Sequence, residues 1–172
     1  MATEKTTIFS PELAARFDRL VTLYPLRRSA LIPMLLYAQD EVGYISDAVI
    51  AEVAERVGVR DNDVKSVLSY YSLLRTKPVG KFNIQICTNI SCMLRGANEV
   101  FAHCSKKLGV GNKGVTPDGL FSLEEVECIG ACSWAPAAQI NYDFHENLTE
   151  ESIDKVLDEY RSTANNATGA GN

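Results

Sequence analysis

The sequence predicts an α+β fold: a four-helix bundle at the N-terminus, then a domain whose elements run β-α-β-β-β-α. Two observations carry the prediction. Apolar residues recur at helical spacing through four stretches up to about residue 75, and then Phe82, Ile84 and Ile86 alternate with Asn83 and Gln85, the period of a strand. Between the two regimes stands Pro78-Val79-Gly80, a break in any regular structure. With 172 residues, 46% of them hydrophobic, the chain can hold two small cores.

The first helix starts at Ser10-Pro11-Glu12: a hydroxyl to cap the free N–H groups, a proline where no N–H is needed, and an acid at the positive end of the dipole. Leu13, Phe17, Leu20, Val21 and Tyr24 form its stripe up to Pro25. A second helix is expected from Ser29 to Glu41, with Pro33 either in its first turn or kinking it. The third follows Ser46 and places Ile50, Val53, Ala54 and Val57 on one face; the fourth begins near Asp61 and uses Val64, Val67, Leu68 and Tyr71. Short turns between amphipathic helices give the pattern of a small bundle, assigned here to residues 1–76 and to a docking role.

A half-buried strand then leads into Cys87. From Met93 the helical period returns through Leu94, Ala97, Val100, Phe101, Cys104 and Leu108, with Lys106-Lys107 in the last turn. Residues 109–119 read as a loop, Leu120 to Glu127 as a second strand, Ala137 to Asn141 and Tyr142 to His145 as a tight hairpin. Thr149-Glu150-Glu151 opens a last helix with Ile153, Val156, Leu157 and Tyr160 as its stripe. This order is the minimal thioredoxin-like arrangement, assigned to residues 77–162. Residues 163–172, rich in Asn, Ala, Thr and Gly, are expected to be a disordered tail.

Four of the five cysteines form two pairs, Cys87-x4-Cys92 and Cys128-x3-Cys132, with 35 residues between them. A right-handed strand-helix-strand crossover brings the ends of its two parallel strands to one edge of the sheet, so both pairs belong to the same edge. Four thiolates can complete two irons bridged by sulfides, or one tetrahedral zinc, and spacing alone leaves these two even. Neither ferredoxin run of closely spaced cysteines occurs, and His103 and His145 lie outside both loops, which removes support for a Rieske site. Glu124, Glu125 and Glu127 precede the second pair; for a cluster of charge -2 oxidised and -3 reduced they predict a low potential, nearer roughly -400 mV than the Rieske range.

Other features exclude functions. A formal charge of -5 without a basic run argues against nucleic acid and against an anionic membrane surface. The longest apolar run, Leu31 to Ala38, is too short to span a membrane. No secretion signal or transit peptide is visible, so the thiols are expected to stay reduced. Gly109-Val110-Gly111-Asn112-Lys113-Gly114 spells a dinucleotide fingerprint but follows a helix and precedes a strand, the reverse of the working order. Cys104 sits on an apolar stripe and reads as a small buried hydrophobe. Trp134 is assigned no role.

The stretches Pro78-Val79-Gly80-Lys81, Cys87-Thr88-Asn89-Ile90-Ser91-Cys92 and Glu127-Cys128-Ile129-Gly130-Ala131-Cys132, with Ala135-Pro136 and Asn141, resemble the small 2Fe-2S subunits of respiratory complex I, the E-type chains of NADH:quinone oxidoreductase. Arg28-Ser29-Ala30, Ile32-Pro33, Ala38-Gln39 and the segment from Gly43 to Ser46 are similar too, so the resemblance runs from about residue 8 to 161. It implies one 2Fe-2S cluster on Cys87, Cys92, Cys128 and Cys132, a neighbouring flavin subunit that binds FMN and NADH, and other iron-sulfur subunits of the peripheral arm. The implied place is the cytoplasmic side, peripheral to the inner membrane through the complex, rather than the mitochondrial matrix. The same module in an NAD-linked hydrogenase or formate dehydrogenase, or a zinc-stabilised interaction module, are the rival readings.

Overall fold

In the computed structural model, which describes residues 7–169, the Ser10 hydroxyl accepts the Leu13 N–H at the start of α1 (Pro11–Thr22). A 3-10 turn at Arg27–Ala30 leads into α2 (Leu31–Val42), and α3 (Asp47–Val57) and α4 (Asp61–Tyr70) follow. Pro33 is the third residue of α2, inside the first turn, where helical N–H groups lack partners anyway. Phe17, Met34, Leu35, Ala38, Val53 and Val64, contributed by all four helices, are fully excluded from water and form one core. The chain divides into two compact units between Pro78 and Val79, and this core lies wholly within the first.

The second unit is built on a five-stranded mixed sheet. Its strands are β1 (Phe82–Cys87), β2 (Gly114–Val115), β3 (Phe121–Val126), β4 (Ala138–Ile140) and β5 (Asp143–His145), in the spatial order β2-β3-β1-β4-β5. β1 runs parallel to β3 and antiparallel to β4. Between β1 and β3 the chain forms α5 (Ile90–Leu94) and α6 (Ala97–Leu108); after β5 comes α7 (Glu150–Gly169). Ile84, Ile86, Phe121, Leu123 and Ile140 pack with Val100, Cys104 and Leu108 of α6 and Ile153 and Leu157 of α7. Each isoleucine fully buried in this way contributes about 1.5–3 kcal/mol.

Several expectations change here. The expected single helix from Met93 is two helices, because Gly96 adopts φ 93° and turns the chain between them. The loop at 109–119 contains β2, a two-residue edge strand too short to leave a periodic signal. β1 is buried on both faces, with Asn83 1% and Gln85 5% exposed, rather than half-buried. The reason is its central place and a set of polar partners: Glu124 Oε1 accepts from Asn83 Nδ2 at 2.8 Å and from Gln85 Nε2 at 2.7 Å, while the Ser122 hydroxyl donates to Asn83 Oδ1 at 2.6 Å.

The tail expected from residue 163 is helical as far as Gly169; residues 170–172 lie outside the described residues. Ala164 continues the buried stripe of Ile153 and Leu157, and the hydroxyls of Ser162 and Thr163 donate to carbonyls four residues back. Among the described residues no helix is long and apolar enough to cross a membrane.

Candidate metal centre

The parallel register sets Cys87, the last residue of β1, opposite Val126, the last residue of β3. The Thr88 N–H donates to the Val126 carbonyl at 3.1 Å, so the two loops leave the sheet side by side. On the other flank of β1 lies β4, running the opposite way, and the Cys87 N–H donates to the Ala137 carbonyl at 3.1 Å. The segment from Glu127 to Ala137 therefore starts on one side of β1 and finishes on the other. It has to arch over the end of β1, above Cys87, and it carries Cys128 and Cys132.

Cys92 reaches the same place from α5, whose N-cap Asn89 accepts the Ile90 N–H through its side chain at 2.7 Å. Cys87 and Cys92 are buried together with Ala97, Ala131, Ala135 and Ala137, a wall of small side chains. Burial pushes the Cys92 thiol up, and its hydrogen bond to Cys87 and the charges of Cys87 and Cys132 push the same way, against a hydrogen bond from the Ala137 backbone. Cys128 and Cys132 face solvent. The Gly130 N–H approaches Cys128 Sγ at 3.4 Å, and Cys87 Sγ lies 3.8 Å from the Glu127 carbonyl oxygen.

At Gly130 the backbone conformation, rather than a close approach, calls for glycine. A Cβ there would meet nothing, but its φ is 83°, a backbone state that other residues reach only with strain. Sequence reading also passed over Arg95, which caps α5 and donates from Nε to the Ala135 carbonyl at 2.7 Å, bridging from the first cysteine segment to the arch. A long cation placed between Leu94 and a glycine was the only sign of it.

The other residues singled out by type fall elsewhere. Cys104 is in the core between sheet and helices, His103 pairs with Asp154 and Glu150, and His145 stands against the Tyr160 ring and hydroxyl. Trp134 is 53% exposed on the short 3-10 turn that begins at Cys132. The glycine-rich run joins α6 to β2 and caps neither a strand nor a helix start.

The donor set suits an iron-sulfur group. The segments that carry the two cysteine pairs leave the sheet at one edge, Cys87 and Cys92 pack against alanines, and backbone N–H groups of Gly130 and Ala137 turn to Cys128 and Cys92. A single tetrahedral zinc requires all its sulfurs at about 2.3 Å from one point. Among the described residues no three His, Cys, Asp or Glu side chains stand in that arrangement.

Residues 17–161 match the family described as thioredoxin-like 2Fe-2S ferredoxin. The chain is 42% identical over 139 residues to the second E-type chain of the NADH-quinone oxidoreductase of Rhizobium meliloti, an alignment covering 81% of this chain and 83% of that one. It is 34% identical over 167 residues to the E-type chain of the same enzyme from Mycobacterium tuberculosis, covering 95% of this chain and 66% of the relative. Among solved structures, an NAD+-reducing NiFe-hydrogenase superposes with a TM-score of 0.68 at 18% identity, over 77% of this chain and 23% of that much longer one, a likeness of fold.

Proposed function

The chain belongs to the thioredoxin-like 2Fe-2S ferredoxin family, and from that premise we propose that it is the one-electron transfer subunit of an NADH:quinone oxidoreductase. In this reading Cys87, Cys92, Cys128 and Cys132 hold a single 2Fe-2S cluster. The observation that carries it is the arch: a sheet order that sends the Glu127–Ala137 segment across the end of β1, so that both cysteine pairs share one edge. The cluster, when bound, supplies a group that takes up and returns one electron at a time.

The chain's own residues do the rest. Cys87 and Cys92 form the buried wall of the site, and Cys128 and Cys132 its open side. Backbone N–H groups at Gly130 and Ala137 aimed at sulfur favour the negative charge held there. Ala97, Ala131, Ala135 and Ala137 keep water from the inner side. On the same two segments Ile90, Met93, Leu94 and Trp134 lie exposed, an apolar border beside the open side. A partner that excludes water there would strengthen the electrostatics of the exchange.

The partner we assign is a subunit that binds FMN and NADH, accompanied by other peripheral-arm iron-sulfur subunits, since this chain's glycine-rich run has the wrong context for a nucleotide. The helical unit is assigned to docking, and the complex would hold the protein on the cytoplasmic face, peripheral to the membrane. Glu124, fixed by two amide donors on β1, supports a low potential.

Anaerobic purification tests the reading. A red-brown protein with two irons per chain, an EPR signal after dithionite and a co-purifying flavoprotein are expected; a colourless protein with stoichiometric zinc would overturn it.

A further inference from the structure

Arg95 joins the two cysteine segments through its side chain. Its backbone N–H closes α5 by donating to the Cys92 carbonyl at 3.1 Å, and its side chain then leaves the helix and donates from Nε to the Ala135 carbonyl at 2.7 Å. Ala135 is buried, three residues beyond Cys132 on the descending limb of the arch. Other ties between the cysteine segments lie at the base of the arch, through Cys87, Thr88 and the Ala137 peptide. At the level of α5 the tie is the Arg95 guanidinium. Gly96 turns the chain at once into α6, so Arg95 sits at a fixed corner rather than on a mobile loop.

Building on the cluster reading above, we propose that Arg95 is a positioning residue for the cluster: it clamps the Cys92 helix to the Cys132 limb and brings a positive charge to the cysteine segments. The two roles separate chemically. A directed Nε–H bond to a carbonyl needs the planar guanidinium, which a lysine does not reproduce, whereas a lysine does keep the charge. Reduction adds one negative charge to the cluster, so a nearby cation favours the reduced state, by an amount that solvent screening limits because Arg95 is exposed.

The test uses full-length protein loaded with iron and sulfide, comparing Arg95→Ala and Arg95→Lys with the unaltered chain. Three quantities are read: iron per chain, the rate at which visible absorbance disappears in excess chelator, and the midpoint potential. The potential comes from a dithionite titration followed by EPR, in which one electron from the titrant converts one ferric iron to ferrous. Arg95→Ala is expected to lose its cluster about tenfold faster, the effect of removing one charged hydrogen bond, and to have a more negative potential. Arg95→Lys is expected to recover the potential while losing the cluster as fast as the alanine variant.

An alanine variant that matches the unaltered protein in both rate and potential overturns the proposal, and so does a lysine variant that restores neither potential nor retention. If Arg95→Ala fails to fold by circular dichroism, Arg95→Gln, which keeps an N–H donor without charge, takes its place: it must shift the potential negative or the proposal fails. An unaltered chain that takes up no cluster would instead sink the reading on which the clamp rests.

Discussion

Burial in the core shared by α6 and α7 pushes the Cys104 thiol up to about 12, with the Asp154 charge adding and Lys107 opposing. At neutral pH it is protonated, a poor ligand and a poor nucleophile. Cys104→Ala is therefore expected to keep full iron content while costing about 1 kcal/mol in urea unfolding for the lost packing. Cys92→Ala or Cys132→Ala should abolish cluster loading or reduce it severely, measured as iron per chain. Loss of iron in the Cys104 variant would overturn the ligand assignment. Glu124 offers a different check, because its carboxylate satisfies two amides on a buried strand. Glu124→Leu strands both donors, and unsatisfied buried groups cost about 1–3 kcal/mol each. A denaturation midpoint unchanged in that variant would mean that the amides find other partners.

At the scale of elements, α6 and α7 are fastened by charge as well as by their shared core. Asp154 accepts from Lys107 at 2.9 Å and stands 2.8 Å from His103 Nε2. The Lys107 hydrogen bond, followed by that of His103, holds the Asp154 carboxyl below its ordinary 3.8. A carboxylate whose folded pKa is depressed stabilises the fold fully above its unfolded value and loses that contribution as pH falls through the folded one. The pair is partly exposed, so the contribution is at most about 1 kcal/mol. Stability measured from pH 6 down to pH 2, a window chosen around a carboxylate of about 3.9 unfolded, should fall less steeply in Asp154→Asn than in the unaltered chain. Equal slopes would show that the pair contributes nothing. A second junction is steric. A Cβ on Gly80 would stand 2.6 Å from the Ser122 backbone nitrogen and closer still to the Phe121 carbonyl carbon, so the chain entering β1 passes against the backbone of β3. Gly80→Ala forces two main chains apart and is expected to cost about 1–3 kcal/mol; a neutral result would mean that the entry segment moves freely.

For the whole molecule the division at Pro78 and Val79 leaves each unit with a core of its own. All four candidate ligands and Arg95 belong to the second unit. A chain trimmed to residues 79–172 is expected to load the same cluster with the same visible spectrum. Under the docking assignment it would fail to co-purify with the flavoprotein. A trimmed chain that holds no cluster would give the helical unit a structural part in the site.

The sequence by itself determined most of the elements and the class of site. Ser10-Pro11, the stripe from Leu13 to Leu20 and the alternation at Phe82, Ile84 and Ile86 are local signals, set by backbone periods and by free N–H groups that need caps. The two cysteine pairs mark a thiolate-bound metal or cluster site through residue type and spacing, without choosing between zinc and iron-sulfur. Sheet order was not legible, because the partners of a strand lie far away in sequence and periodicity says nothing of which strand sits beside which. For that reason the double burial of β1, the role of Glu124 beneath Asn83 and Gln85, the edge strand at Gly114–Val115 and the reach of Arg95 to Ala135 emerged only in three dimensions. With β3 and β4 on opposite flanks of β1, the chain must cross the end of that strand, and this connectivity in space carries the segment with Cys128 and Cys132 over the end of β1, where Cys87 lies.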